Sequence, residues 1–116
     1  MTKKDILRVL DRILDPDLRD HSIVEMGFVR EDDIEVDEKE IHVSYTVGGP
    51  LCPYSAAVGI IIHHTLSSTF PKKIRVRMKK EHYQRDLVNQ ILEDEERFNE
   101  LFEKIKDQNL LALCLR

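Results

Sequence analysis

The residues best suited to chemistry lie in one turn, Gly48-Gly49-Pro50-Leu51-Cys52-Pro53-Tyr54-Ser55. Its paired glycines permit a tight reversal. Pro53 suits the first turn of a helix, where the missing N–H costs nothing. Cys52 then falls at or just before the helix start, facing unpaired main-chain N–H groups and the positive end of the helix dipole. Those groups favour a thiolate, so Cys52 is a candidate reactive thiol or soft-metal ligand. The plainer alternative is a small apolar residue filling the base of the helix. Two carboxylates could join it. Asp15 lies in the turn Asp15-Pro16-Asp17, and Glu25 interrupts the apolar run from Ile23 to Val29. Each either serves solvation and local capping or faces the thiol.

Other polar clusters are weaker candidates. Glu31-Asp32-Asp33 and Asp37-Glu38-Lys39-Glu40 lack the glycine and spacing of a calcium loop. His63 and His64 are adjacent, so on a helix they point about 100° apart. They also lie roughly 17 Å along the axis from Cys52, too far for shared ligation within one chain.

The elements around the turn follow from hydrophobic period. Thr2 and Asp5 form a capping-box pattern before Ile6, Leu7, Leu10, Ile13 and Leu14, a helical stripe that Pro16 ends. Ser22 to Glu31 reads as the first strand, with Gly27 marking a bulge or a close approach. Ile34 and Val36 extend it into a solvated hairpin turn. Ile41, Val43, Tyr45 and Val47 alternate with His42, Ser44 and Thr46 as the second strand. Pro53 to Ser68 reads as a broadly apolar helix lying across the sheet. Lys72 to Lys80 is the third strand, with Ile74, Val76 and Met78 on one side and a basic row on the other. Charge of that kind guards a sheet edge, and the row lacks the interleaved aromatics of a base-stacking surface. Beyond Glu81, two apolar stripes flank Glu93-Asp94-Glu95-Glu96, giving one bent helix or two. Leu110, Leu111, Leu113 and Leu115 are too apolar for a free tail and must dock on the body or a neighbouring subunit; Cys114 among them reads as packing.

These elements predict an α/β fold: a small two-layer sandwich with an α-β-β-α-β core, a mixed sheet and a C-terminal helical extension. The first two strands pair as an antiparallel hairpin, and the crossover from second to third is parallel and right-handed. At 116 residues the chain suits a single domain, 1–116, with its core in 1–80 and the extension in 81–116. A net charge of −4 with about a third of residues charged argues for a soluble protein and against a dedicated nucleic-acid binder. No apolar run approaches the roughly 18 residues of a membrane span, and the N-terminus lacks a secretory pattern. Cys52 and Cys114 make no disulfide framework, so a reducing cytoplasm is the expected compartment.

In this order the motifs resemble the MIP18-like family, also called DUF59 or SufT/PaaD-like. The resemblance rests on Asp15-Pro16-Asp17, on Ile23-Val24-Glu25-Met26-Gly27-Phe28-Val29, on Thr46-Val47-Gly48-Gly49-Pro50-Leu51-Cys52-Pro53, and on the short strand Ile74-Arg75-Val76-Arg77-Met78. It implies that Cys52 is the family's reactive cysteine, Asp15 its turn aspartate, Glu25 its strand acid and Thr46 its threonine before the cysteine. Glu25 stands where the family has Asp, the spacer after Thr46 is longer, and Lys80-Glu81-His82-Tyr83 stands where many members carry a Trp-containing segment. The implied function is a non-enzymatic iron–sulfur cluster assembly or targeting factor, with Cys52 holding iron or a cluster in transit. One cysteine cannot close a cluster site, so the cargo would be shared between subunits of a homodimer or with a partner. The implied partners are the assembly machinery or client apoproteins. A metal-free protein-interaction adaptor and a thiol-dependent enzyme are the alternatives; for the latter, no His or Asp is placed beside Cys52 by spacing.

Overall fold

Thr2 caps the first helix, α1 (Lys3–Leu10): its hydroxyl accepts from the Asp5 N–H at 3.3 Å, and the Asp5 carboxylate accepts from the Thr2 N–H at 3.0 Å. This is the expected capping box, and its hydrogen bonds hold the Asp5 carboxyl below the usual range. The computed structural model describes residues 2–16, 20–48, 55–80, 82, 84–109, 113 and 114. Expectations about Asp17, Cys52, Pro53, Leu110, Leu111 and Leu115 lie outside them.

α1 ends at Leu10 rather than at Pro16. Ile13 and Leu14 continue its apolar spacing, but their main chain pairs elsewhere. The Ile23 N–H donates to the Ile13 carbonyl at 2.9 Å, and Leu14 forms an antiparallel bridge with Ser22. Both side chains are buried all the same.

The segment 22–31 is not a strand. Ser22 opens a single closed turn: its hydroxyl accepts from the Glu25 N–H at 3.0 Å, and its carbonyl accepts from the Met26 N–H at 3.0 Å. Gly27, at φ 76°, reverses the chain. The Phe28 N–H then bonds the Ile23 carbonyl, and the Gly27 N–H bonds the Val24 carbonyl, the paired closure of a Schellman motif. Gly27 therefore supplies a left-handed backbone, not a bulge.

After a 3-10 turn at Glu31–Asp33, the strands are β1 (Ile34–Val36), β2 (Glu40–Tyr45) and β3 (Lys73–Met78), in the order β1-β2-β3. β1 pairs antiparallel with β2, and β2 pairs parallel with β3. The antiparallel pairing of the hairpin and the parallel pairing across the crossover are as expected, but the hairpin's first strand is the short Ile34–Val36. Ile34, Ile41, Val43, Tyr45, Ile74, Val76 and Met78 are buried on one face. The opposite face aligns Glu35, His42 and Arg75 in one row, Ser44 with Arg77, and Glu40 with Lys73.

The helix α2 (Ser55–Thr69) buries Ile60, Ile61 and Ile62 in succession, because it packs against α1, β3 and the C-terminal helices at once. Those are α3 (Arg85–Glu93) and α4 (Glu95–Asp107), two helices rather than one. Asp94 divides them: extended at ψ 111°, it accepts from the Glu96 and Arg97 N–H groups as the cap of α4. His63 and His64 meet different rings of α4, Phe98 at 5.0 Å and Phe102 at 5.2 Å. At the far end Cys114 is fully buried, as expected, whereas Leu113 is 44% exposed, against the expectation for that leucine. Asn109, at φ 58°, reverses the chain before them.

One close approach holds β2 to α2. The fully buried Tyr45 donates its hydroxyl to the Ser55 carbonyl at 2.7 Å, and its ring lies against Gly59, where an added Cβ would sit 2.5 Å from the hydroxyl oxygen. Gly59→Ala is therefore expected to destabilise the protein by about 1–3 kcal/mol through overpacking, although Ala is the better helix former by about 1 kcal/mol. A urea midpoint equal to or above that of the wild type would contradict this.

His63 gives a pH dependence. Burial, aided by the neighbouring His64, lowers its pKa below the ordinary histidine value, against an opposing hydrogen bond to the Ile74 main chain. The folded state thus favours the neutral ring, while the unfolded chain takes a proton near pH 6.5. Stability from this residue is present above about pH 6.5 and is lost as pH falls toward the folded-state pKa. Melting at pH 7 and pH 5 should show a drop that shrinks in His63→Gln; equal drops would refute the assignment.

Candidate functional site

Asp15 is buried, at 6% exposure, and its main chain is held on a short extended segment. The Asp15 N–H donates to the His21 carbonyl at 2.9 Å. The preceding Leu14 N–H donates to the Cys114 carbonyl at 2.7 Å, so the C-terminal end packs beside this loop. Residues 13–15 therefore lie between the segment 21–23 and the tail.

Glu25 stands on the turn capped by Ser22. Its carboxylate meets His21 Nδ1 at 3.2 Å, with about half of each side chain in solvent, so unlike Asp15 it is not buried. Ser22 is fully buried and its hydroxyl also donates to an Asp11 carboxylate oxygen. Ser22 and Asp11 thus set the position of the Glu25 turn, and the reading of the segment as a strand missed both. The signal was present: Ser22 followed three residues later by Glu25 is a capping-box pattern, with Gly27 as its stop.

Thr46 joins this assembly through its main chain. Its N–H donates to the Phe28 carbonyl at 3.0 Å, just beyond the Gly27 reversal. Gly48 then passes the Phe28 ring, where an added Cβ would lie 3.4 Å from it. From Asp15 to His21–Ile23, to Phe28, to Thr46 and Gly48, one chain of hydrogen bonds and contacts connects the loops that carry three of the four candidate residues. The fourth, Cys52, lies outside the described residues. Gly48 rests on Phe28, and Ser55 is held by the Tyr45 hydroxyl.

Chemically, this region offers a buried carboxylate at Asp15 and a solvent-facing carboxylate–imidazole pair at Glu25 and His21, hard donors suited to protons or cations. Among the described residues, no group of three or more His, Cys, Asp or Glu is placed to hold a metal ion. The basic row on β3 is partly neutralised. Arg75 meets Glu40 at 3.2 Å, Arg77 meets Glu93 at 3.6 Å, and Lys79 meets Asp33 at 2.7 Å. Among the described residues, no helix is long and apolar enough to cross a membrane.

Comparison with curated proteins finds no match. The family described as iron–sulfur cluster assembly protein matches residues 3–76 of the 116, a span that begins with α1, includes Asp15, Glu25, Thr46 and Cys52, and ends within β3. The chain belongs to this iron–sulfur cluster assembly family, the MIP18-like family that its motifs resemble.

Proposed function

We propose that the chain is an assembly or targeting factor that passes iron or an iron–sulfur cluster through Cys52 to client apoproteins in the cytoplasm. The observation that carries this reading is the family match over residues 3–76. It is supported by the hydrogen-bonded connection among the loops of Asp15, Glu25 and Thr46. Iron and clusters are the cargo here, and a soft thiolate is their natural first ligand. One thiolate cannot complete a cluster site, so the remaining ligands come from a second copy, a client or a small thiol. The buried Asp15 and exposed Glu25 then act on the cargo's charge or on the hydrogen bonds around the turn, not as soft ligands. Residues 81–116, which follow the matched span, form the helical extension of the domain whose core is 1–80.

The expected behaviour starts from the thiol. A cysteine at a helix N-terminus titrates below the ordinary value of about 8.5. The rate of Cys52 alkylation against pH, read by mass spectrometry of the Cys52 peptide in the native chain, should give an apparent pKa below that value. Anaerobic incubation with iron and sulfide should produce cluster absorbance and a change in oligomer mass in the wild type, both lost in Cys52→Ala. Client activation should fall in the same variant. Full client activation by Cys52→Ala would overturn the proposal and leave a metal-free adaptor whose cysteine is packed.

A further inference from the structure

β3 is the outer strand of the sheet, yet its edge is closed to a further strand at both ends. The Met78 N–H donates to Asn89 of α3 at 2.8 Å, and the Ile74 main chain is hydrogen-bonded by His63 of α2. Strand addition is thus disfavoured there. What remains accessible is the face beside the edge. A cleft of about 450 Å³ runs from His42 and Arg75 on the open sheet face, around β3, to Leu92 and Phe98. A second cleft, of about 720 Å³, continues from Arg77 past Lys80 and Arg85. Arg77 borders both.

The charge along this path runs against that of the whole chain, which is −4. Lys73, Arg75 and Arg77 project from alternate positions of β3, and all three are exposed. Lys80 and Arg85 extend the line. Two acids answer them: Glu93, in a solvent-exposed pair with Arg77 of the kind that exchanges partners at little cost, and Glu40, mostly covered and bonded by both His42 and Arg75, while Glu35 lies in the same row as His42 and Arg75. Farther along, Asp33 and Asp86 are held by Lys79 and Arg85. Alternate residues on a strand are about 6.7 Å apart, and acidic side chains on alternate residues of an extended peptide have the same spacing. The first cleft adds Val76, Leu92 and Phe98 as a place for an apolar side chain. A phosphodiester backbone has no group for that place, and along β3 no aromatic residue stands between Lys73, Arg75 and Arg77 to stack a base.

We propose that this face binds an extended acidic protein segment, with carboxylates over Lys73, Arg75 and Arg77 and an apolar residue seated between Val76, Leu92 and Phe98. The proposal does not rest on cargo transfer through Cys52, and Cys52→Ala should bind such a segment as the wild type does. The probe is a fluorescein-labelled twelve-residue peptide of alternating Asp or Glu and Leu, titrated by anisotropy at low and high salt. The wild type is expected to bind, with affinity falling as salt rises. Arg75→Gln combined with Arg77→Gln should weaken binding at least about tenfold. Lys3→Gln with Lys4→Gln on α1 should leave it within about twofold. Circular dichroism melting shows that each variant is folded, and amide shifts on peptide addition should centre on Lys73–Lys80 and Leu92. Absent binding, equal affinity in the double arginine variant, or tighter binding of an oligouridylate of equal charge would each overturn the proposal.

Discussion

The fit of Tyr45 against the first turns of α2 is the contact on which the site depends. Tyr45 is the last residue of β2, and its ring is wholly buried. Its hydroxyl holds the Ser55 carbonyl, and its bulk is accommodated because residue 59 has no side chain. A buried phenol needs a partner for its hydroxyl, and the first turn of a helix is a poor place to find one, since its carbonyls are otherwise engaged along the helix. Ser55 supplies it with a carbonyl's second lone pair. Tyr45 at the end of β2 and Ser55 of α2 are thereby fixed to each other directly.

The parts of this arrangement that were legible in the sequence share one property: a local pattern with a single structural solution. Thr2 and Asp5 can satisfy each other only across a first helical turn. The alternation in Ile41–Val47 and Ile74–Met78 fits a sheet with one buried face and nothing else. The crossover helix and the hairpin follow from the same changes of period. Where the pattern had two solutions, the sequence misled. Ile13 and Leu14 fit a continued helical stripe, but their partners, the 21–23 segment and the Cys114 carbonyl, are distant in sequence. The dense apolar run from Ile23 to Val29 has no clear period, so it passed as a strand. The hydrogen bonds of Ser22 and the positive φ of Gly27 make it a turn instead. The candidate residues followed the same division. Asp15, Glu25, Thr46 and Cys52 were singled out from their types and the order of motifs; Ser22 carried a local capping signal with Glu25 that the strand reading passed over, whereas Asp11 and Phe28 emerged only from how the loops are joined.

The cations beside the open sheet face are largely paired with acids from other elements. Each strand arginine is met by an acid from a different element: Glu40 beside it on β2 for Arg75, Glu93 at the end of α3 for Arg77. Lys79 and Asp33, both largely shielded, tie the 3-10 turn to the end of β3 and belong to the architecture. The Arg77–Glu93 pair is exposed by comparison, whereas Glu40 is mostly covered and shared between Arg75 and His42. A face built this way has little unpaired charge, and its cations are set out at the strand's alternate spacing beside an apolar cleft.

The family match ends inside β3, yet the residues beyond it are integrated with those before it. Asn89 of α3 closes the strand edge at Met78, and Phe98 and Phe102 of α4 hold the two histidines of α2. The tail returns to the opposite end of the molecule, where the Cys114 carbonyl takes the Leu14 N–H beside Asp15. An extension that only lengthened the domain would gain nothing from reaching that loop. By satisfying a main-chain donor next to a buried carboxylate, it removes a polar group that would otherwise need water or a partner. Cys114 and the Asp15 loop are therefore joined directly, main chain to main chain, across nearly the whole length of the sequence.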